Sequence, residues 1–154
     1  LAKQQWGGIP LASLVDLQLT TVTGSSDRIS RRGPDLLVNA NAVQNLGLVF
    51  HELATNSVKY GALSVLEGRL RIEWEILAPL EEGEEPRLRL IWSEQHGPPV
   101  NPPTRRGFGS RLIGRVVEGE LGGALETRYL DTGFAAAITI PVAAYERGVF
   151  AFAD

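Results

Sequence analysis

The chain contains no cysteine and no methionine, and only two of its 154 residues are histidine, His51 and His96. Without cysteine it can form no disulfide, hold no metal through thiolate and use no thiol nucleophile. Two histidines are too few for a histidine-rich metal centre. Nowhere does an apolar run reach the ~18 residues that a membrane-spanning helix requires. No Gly-x-x-x-x-Gly-Lys-Ser/Thr sequence occurs, which excludes a P-loop, and no Gly-x-Gly-x-x-Gly opens a parallel βαβ unit. A net charge of −3 provides no global attraction to nucleic acid or to an anionic membrane, so an anionic ligand must be held by local geometry. The missing methionine, with an opening Leu1-Ala-Lys-Gln-Gln-Trp6 that lacks a signal-peptide pattern, makes a segment of a longer protein the expectation.

What remains has a globular composition, 44% hydrophobic and 21% charged, at a length suited to one core. A single domain is expected over residues 1–154, with its core at about 11–142 and a tail from Ala143 to Asp154 that carries no clear signal. Apolar spacing predicts a helix from Pro10 to Leu19, two short strands at Arg28–Arg32 and Asp35–Val38, and a long helix from about Asn41 to Tyr60 capped by Asn39 or Asn41. Strict alternation predicts a strand at Arg69–Ile76, joined by the acidic segment Pro79–Pro86 to a hairpin partner at Arg87–Glu94. A Pro- and Gly-rich loop, Gln95–Gly109, leads into a helix at Ser110–Leu121 and a last hairpin of Ala124–Leu130 with Phe134–Val142. Antiparallel strand pairs with helices between them imply a two-layer α/β sandwich, one mixed, mostly antiparallel sheet with helices on one face.

Three pieces carry chemistry. On the long helix Asn45, Glu52, Asn56 and Lys59 fall within roughly 60° of one another, opposite Val43, Phe50, Ala54, Ser57 and Gly61. A solvated face and a ligand-facing stripe both fit that pattern. Period two places Leu88, Leu90, Trp92 and Glu94 on one side of their strand, so a carboxylate ends an inward apolar row. Either it binds a partner, because an unpaired buried charge is costly, or the strand frays and Glu94 meets water. Gly107-Phe108-Gly109-Ser110 precedes a helix, where backbone amides and the helix terminus favour an anion, with Arg105, Arg106, Arg111 and Arg115 nearby; a plain tight turn fits the glycines too. A carboxylate for an exocyclic amine, a cradle for phosphates and an amide oxygen for Mg²⁺ together suit ATP.

Those residues resemble the boxes of the histidine-kinase ATPase family, the Bergerat fold. Glu52-x-x-x-Asn56-x-x-Lys59-Tyr60 is similar to the N box, Trp92-x-Glu94 with Gly97-Pro98-Pro99-Val100 to the G1 box, and Gly107-Phe108-Gly109 to the G2 box. His51 before the acid and the Trp-x-Glu pattern resemble the HWE group of sensor histidine kinases, over roughly Leu11 to Val142. The resemblance implies an ATP- and Mg²⁺-dependent catalytic domain. It would pass the γ-phosphoryl to a histidine in an upstream dimerisation domain and serve a downstream response regulator, in the cytoplasm, with no nucleic-acid partner and as a monomer when isolated. It implies Mg²⁺ at Asn56 and a general-base or positioning role for Glu52. Lys59 and Tyr60 would meet phosphate or sugar, and Glu94 the adenine amine beside Gly97. Arg106, Gly107, Phe108, Gly109, Ser110 and Arg111 would lie along the triphosphate, with 101–106 as a mobile lid. His51, counted with Glu52 in the catalytic pair, would orient that acid or pack beneath the lid. It is poorly placed as a phosphoacceptor, since it shares the helix that would hold the phosphates. His96 stands where the G1 box has its first glycine. Two rivals share the fold: an ATP-driven conformational switch and a module that holds nucleotide without chemistry.

Overall fold

A computed structural model describes residues 8–24, 27–99, 108–141 and 150–152, with backbone alone for 108–110 and 150–152. Strand β1 (Ile9–Pro10) runs into helix α1 (Leu11–Thr23), whose Leu11, Leu14, Val15 and Leu19 form the buried stripe expected of it. Next come β2 (Ile29–Arg32), β3 (Leu36–Val38) and α2 (Ala40–Lys59). Asn39 caps α2, its side-chain oxygen accepting the Ala42 N–H at 2.9 Å, one of the donors the first turn leaves without a helical partner. A short 3₁₀ turn at Ala62–Ser64, absent from the sequence expectation, follows.

The hairpin of β4 (Arg69–Leu77) and β5 (Arg87–Gln95) is in the anticipated register, with Ile72 opposite Trp92 and Leu70 opposite Glu94. After α3 (Phe108–Arg115) the helix widens into a π turn at Val116–Glu120, and β6 (Ala124–Leu130) and β7 (Gly133–Pro141) close the last hairpin. Strand order in the main sheet is β2-β4-β5-β7-β6. Its inward rows, Leu70, Ile72 and Trp74 on β4, Leu88, Leu90 and Trp92 on β5 and Ala136, Ile138 and Ile140 on β7, pack with the buried faces of α1, α2 and α3 in one core. Each large side chain so buried contributes about 1.5–3 kcal/mol. The outer face alternates to Arg71, Glu73, Glu75 and Arg89, which are exposed or half-buried. This is the two-layer α/β sandwich.

Three details depart from the sequence expectation. Strands β2 and β3 do not pair with each other: β2 lies parallel to β4, so the edge pair is parallel where an antiparallel one was expected. Strand β3 instead pairs antiparallel with β1 and with β8 (Phe150–Phe152), forming a separate three-stranded sheet. The tail therefore supplies a strand, too short and isolated to announce itself by periodicity. Finally, α3 begins at Phe108, so Gly109 and Ser110 stand inside its first turn.

Candidate functional site

Helix α2 delivers the polar stripe, which runs from a buried start to an exposed end. Asn45 is buried, its amide nitrogen donating to the main-chain and side-chain oxygens of Asn41 at 3.1 and 3.2 Å, so it is occupied in holding the helix. Glu52 and Asn56 are half-buried, and Lys59, Tyr60 and His51 are exposed. Among the described residues neither the Glu52 carboxylate nor the Asn56 amide has a side-chain partner, which leaves both available to a ligand. The Asn56 carbonyl accepts the N–H groups of Tyr60 and Gly61 at 2.8 and 3.2 Å, tying the end of the helix to the 3₁₀ turn that follows.

That segment meets Glu94. The glutamate ends the inward row of β5 with 4% of its surface exposed, so the strand does not fray. Oε1 accepts the Ala62 N–H at 2.9 Å and Oε2 accepts the Trp92 indole N–H at 2.8 Å. Ala62 opens the 3₁₀ turn, where an N–H has no helical acceptor, and a buried indole N–H also requires one. One carboxylate meets both needs and, with about four lone-pair directions, keeps acceptor capacity.

Glycines make the close approach possible. A Cβ on Gly61 would overlap Glu94 Oε1, and one on Gly97 would stand 2.5 Å from the Ala62 Cα. At Gly133, where φ is +143°, a Cβ would run into the Glu94 carbonyl. His96 adopts φ +61°, so the loop keeps the left-handed turn that glycine favours while carrying a histidine.

Of the residues named from sequence, the structure gathers Glu94 and Gly97 around Ala62, while Glu52, Asn56 and Lys59 lie on α2, which ends through its cap Tyr60 two residues before Ala62. His51 lies exposed on α2, about 100° of helical rotation from Glu52. Helix α3 packs on α2, with the backbone of Phe108, Gly109 and Ser110 in its first turn and Arg111 exposed. The first N–H groups of that helix have no intrahelical acceptor, a geometry suited to an anion. Arg106 and Gly107, with the expected lid at 101–106, lie outside the described residues. Sequence reasoning placed Gly61 only on the packing face of the helix and did not single out Ala62 or Gly133. A glycine two residues past the end of α2, and another opening β7, were the available signals.

A hollow of about 400 Å³ lies on the outer sheet face between Arg32, Pro34, Glu73 and Arg89 and shares no residue with the Glu94 set. Its charged lining residues, Arg32, Glu73, Glu75 and Arg89, are exposed or half-buried, whereas Glu94 is a buried carboxylate, so the Glu94 end is the better candidate. Among the described residues no group of three or more acidic or imidazole side chains could hold a metal by itself. A cation here would be shared between a single side chain such as Asn56 and the ligand's own oxygens. No helix among the described residues is long and apolar enough to cross a membrane.

No protein-family model matches the chain. Blue-light-activated histidine kinases of Brucella ovis and Brucella anthropi are 36% and 34% identical to it over 143 and 145 residues, 92% and 94% of this chain. The chain spans 29% of the length of each of these relatives. Its fold superposes on the histidine kinase domain of the Erythrobacter litoralis EL346 blue-light activated histidine kinase with a TM-score of 0.60 at 20% identity, covering 92% of this chain and 65% of that one. The nucleotide-free catalytic domain of histidine kinase ThkA gives a TM-score of 0.60 at 19% identity, covering 87% and 94%. At such identities the solved structures establish the fold, which is that of histidine-kinase catalytic domains.

Proposed function

We propose that this chain, which belongs with the histidine kinases and folds as their catalytic domains do, binds Mg·ATP and supplies the γ-phosphoryl group to a histidine on a dimerisation domain of the same protein, as a kinase of the HWE type. A response regulator would take the phosphoryl group onward. The observation that carries the reading is the Glu94 carboxylate, buried at 4% exposure yet retaining acceptor capacity after its bonds to Ala62 and Trp92. An exocyclic purine amine supplies the donor such a group lacks.

The donor set present fits the rest of the ligand. The Asn56 oxygen suits a hard cation shared with phosphate, and Mg²⁺, when bound, neutralises phosphate charge during transfer. Glu52, on the same stripe and half-buried, orients the attacking imidazole or takes its proton. Lys59 and Arg111, both exposed, offer charge to phosphate oxygens, and the first turn of α3 offers N–H donors. His51, exposed beside Glu52 without a bond to it, would orient that acid or pack beneath the lid.

Calorimetric titration of the chain with ATP, with and without Mg²⁺, tests the proposal. Binding that depends on Mg²⁺ and weakens at least about tenfold in Asn56→Ala is expected, the loss of one charge-linked contact. Absence of Mg²⁺-dependent ATP binding overturns the reading. Binding without transfer to an added dimerisation domain from the same protein would favour a nucleotide-holding module instead.

A further inference from the structure

Trp92 and Glu94 are two residues apart on β5, so both side chains leave the same face of the strand about 6.6 Å apart. Trp92 is among the largest fully enclosed side chains at 2% exposure, flanked by Ile72 on β4 and Ala136 on β7. Its ring is thus fixed by the core, and its N–H points at Glu94 Oε2 over 2.8 Å. The other oxygen is fixed by the N–H of Ala62, itself buried and pressed against Gly97. Two rigid donors therefore determine the plane of the carboxylate. An aspartate, shorter by one methylene or about 1.5 Å, would fall short of one of them.

We propose that Trp92 is a positioning residue of the nucleotide site: its indole N–H sets the orientation of Glu94, so that the remaining acceptor lone pairs select a purine bearing a 6-amino group. The inference rests on the proposed ATP-binding function. In it the tryptophan and the glutamate work as one unit, the first without contact to the base. Loss of the indole donor frees the carboxylate to rotate toward Ala62 alone and leaves base recognition without a fixed acceptor.

The test compares Mg·ATP with Mg·ITP, which presents a carbonyl in place of the amine. The 154-residue chain should prefer ATP. Trp92→Phe should weaken ATP binding about tenfold and ITP binding by less than about twofold, which shrinks the preference. Glu94→Gln should shrink it as well, and in that background Trp92→Phe should change the ATP/ITP ratio no further. A purely structural tryptophan would lower both affinities together. An unchanged ratio in Trp92→Phe beside a collapsed ratio in Glu94→Gln overturns the positioning role and leaves the ATP site standing. If the unaltered chain binds neither nucleotide, the proposed function fails and this inference with it. Should Trp92→Phe not fold, the indole N–H resonance of Trp92 in the unaltered chain, identified by its displacement in Glu94→Gln, decides: it should move with Mg·ATP and hold still with Mg·ITP. No movement with Mg·ATP overturns the proposal.

Discussion

Gly61 and Glu94 share one space: the position a Cβ would take on Gly61 is filled by the Oε1 atom of Glu94, with the Ser57 Cα 3.1 Å away. Neither neighbour can retreat freely, since Oε1 is held by Ala62 and Ser57 is fully buried in α2. Gly61→Ala should therefore cost about 1–3 kcal/mol, the usual penalty for overpacking, and weaken ATP binding by displacing the carboxylate. Thermal unfolding with nucleotide titration measures both. Gly119→Ala is the control: nothing lies within 4 Å of its added methyl, and it should leave both quantities unchanged or raise stability slightly.

His96 carries a left-handed backbone, φ +61°, immediately before the Gly97 that packs on Ala62. A non-glycine residue in that conformation costs about 1–2 kcal/mol, and a glycine recovers it less about 0.5–1 kcal/mol for a freer unfolded chain. His96→Gly should accordingly stabilise the protein by about 0.5–1 kcal/mol, read as a rise of a few degrees in Tm. His96→Val, β-branched and poorly suited to positive φ, should lower Tm.

The Asn39 side chain holds the Ala42 N–H at the start of α2, far along the helix from Asn56. Asn39→Ala should cost about 1 kcal/mol of stability while ATP affinity at saturating Mg²⁺ remains within about twofold. A large loss of affinity would show that the register of α2 depends on its cap. Chemical denaturation and calorimetry separate the two effects.

What the sequence made legible follows from physical periodicity. The alternation Leu88, Leu90, Trp92, Glu94 foretold the burial of a carboxylate, because period two leaves no other place for its side chain once the strand is regular. Helical spacing foretold the buried stripes of α1 and α2 for the same reason. What periodicity could not convey was partner choice. Strand β2 pairs in parallel with β4, 41 positions away at Ile29 and Leu70, and β8 joins a separate sheet through three residues. The carboxylate's partners were hidden likewise, since one is a main-chain N–H in a turn with no sequence signature. Asn45 shows the converse: its helical position groups it with Glu52 and Asn56, but a bond to its own helix occupies it.

The Asp16 and Arg31 side chains join α1 to β2 by a two-point bond, Nε to Oδ1 at 2.6 Å and Nη2 to Oδ2 at 2.8 Å. The hydrogen bond to Asp16 raises the Arg31 guanidinium above its already high ordinary value. A folded-state pKa raised above the unfolded one contributes stability that is complete below the unfolded value and lost only as pH climbs through the folded one. For arginine that window lies in strong alkali. The contribution of the pair should thus be flat from about pH 6 to pH 10, and Asp16→Asn should lower Tm by the same amount throughout that range. Both side chains are well exposed, at 40% and 54%, so solvent screening limits the effect to about 1 kcal/mol or less, and added salt should shrink it further. A pH-dependent difference in Tm across that interval would show that another titrating group couples to the pair.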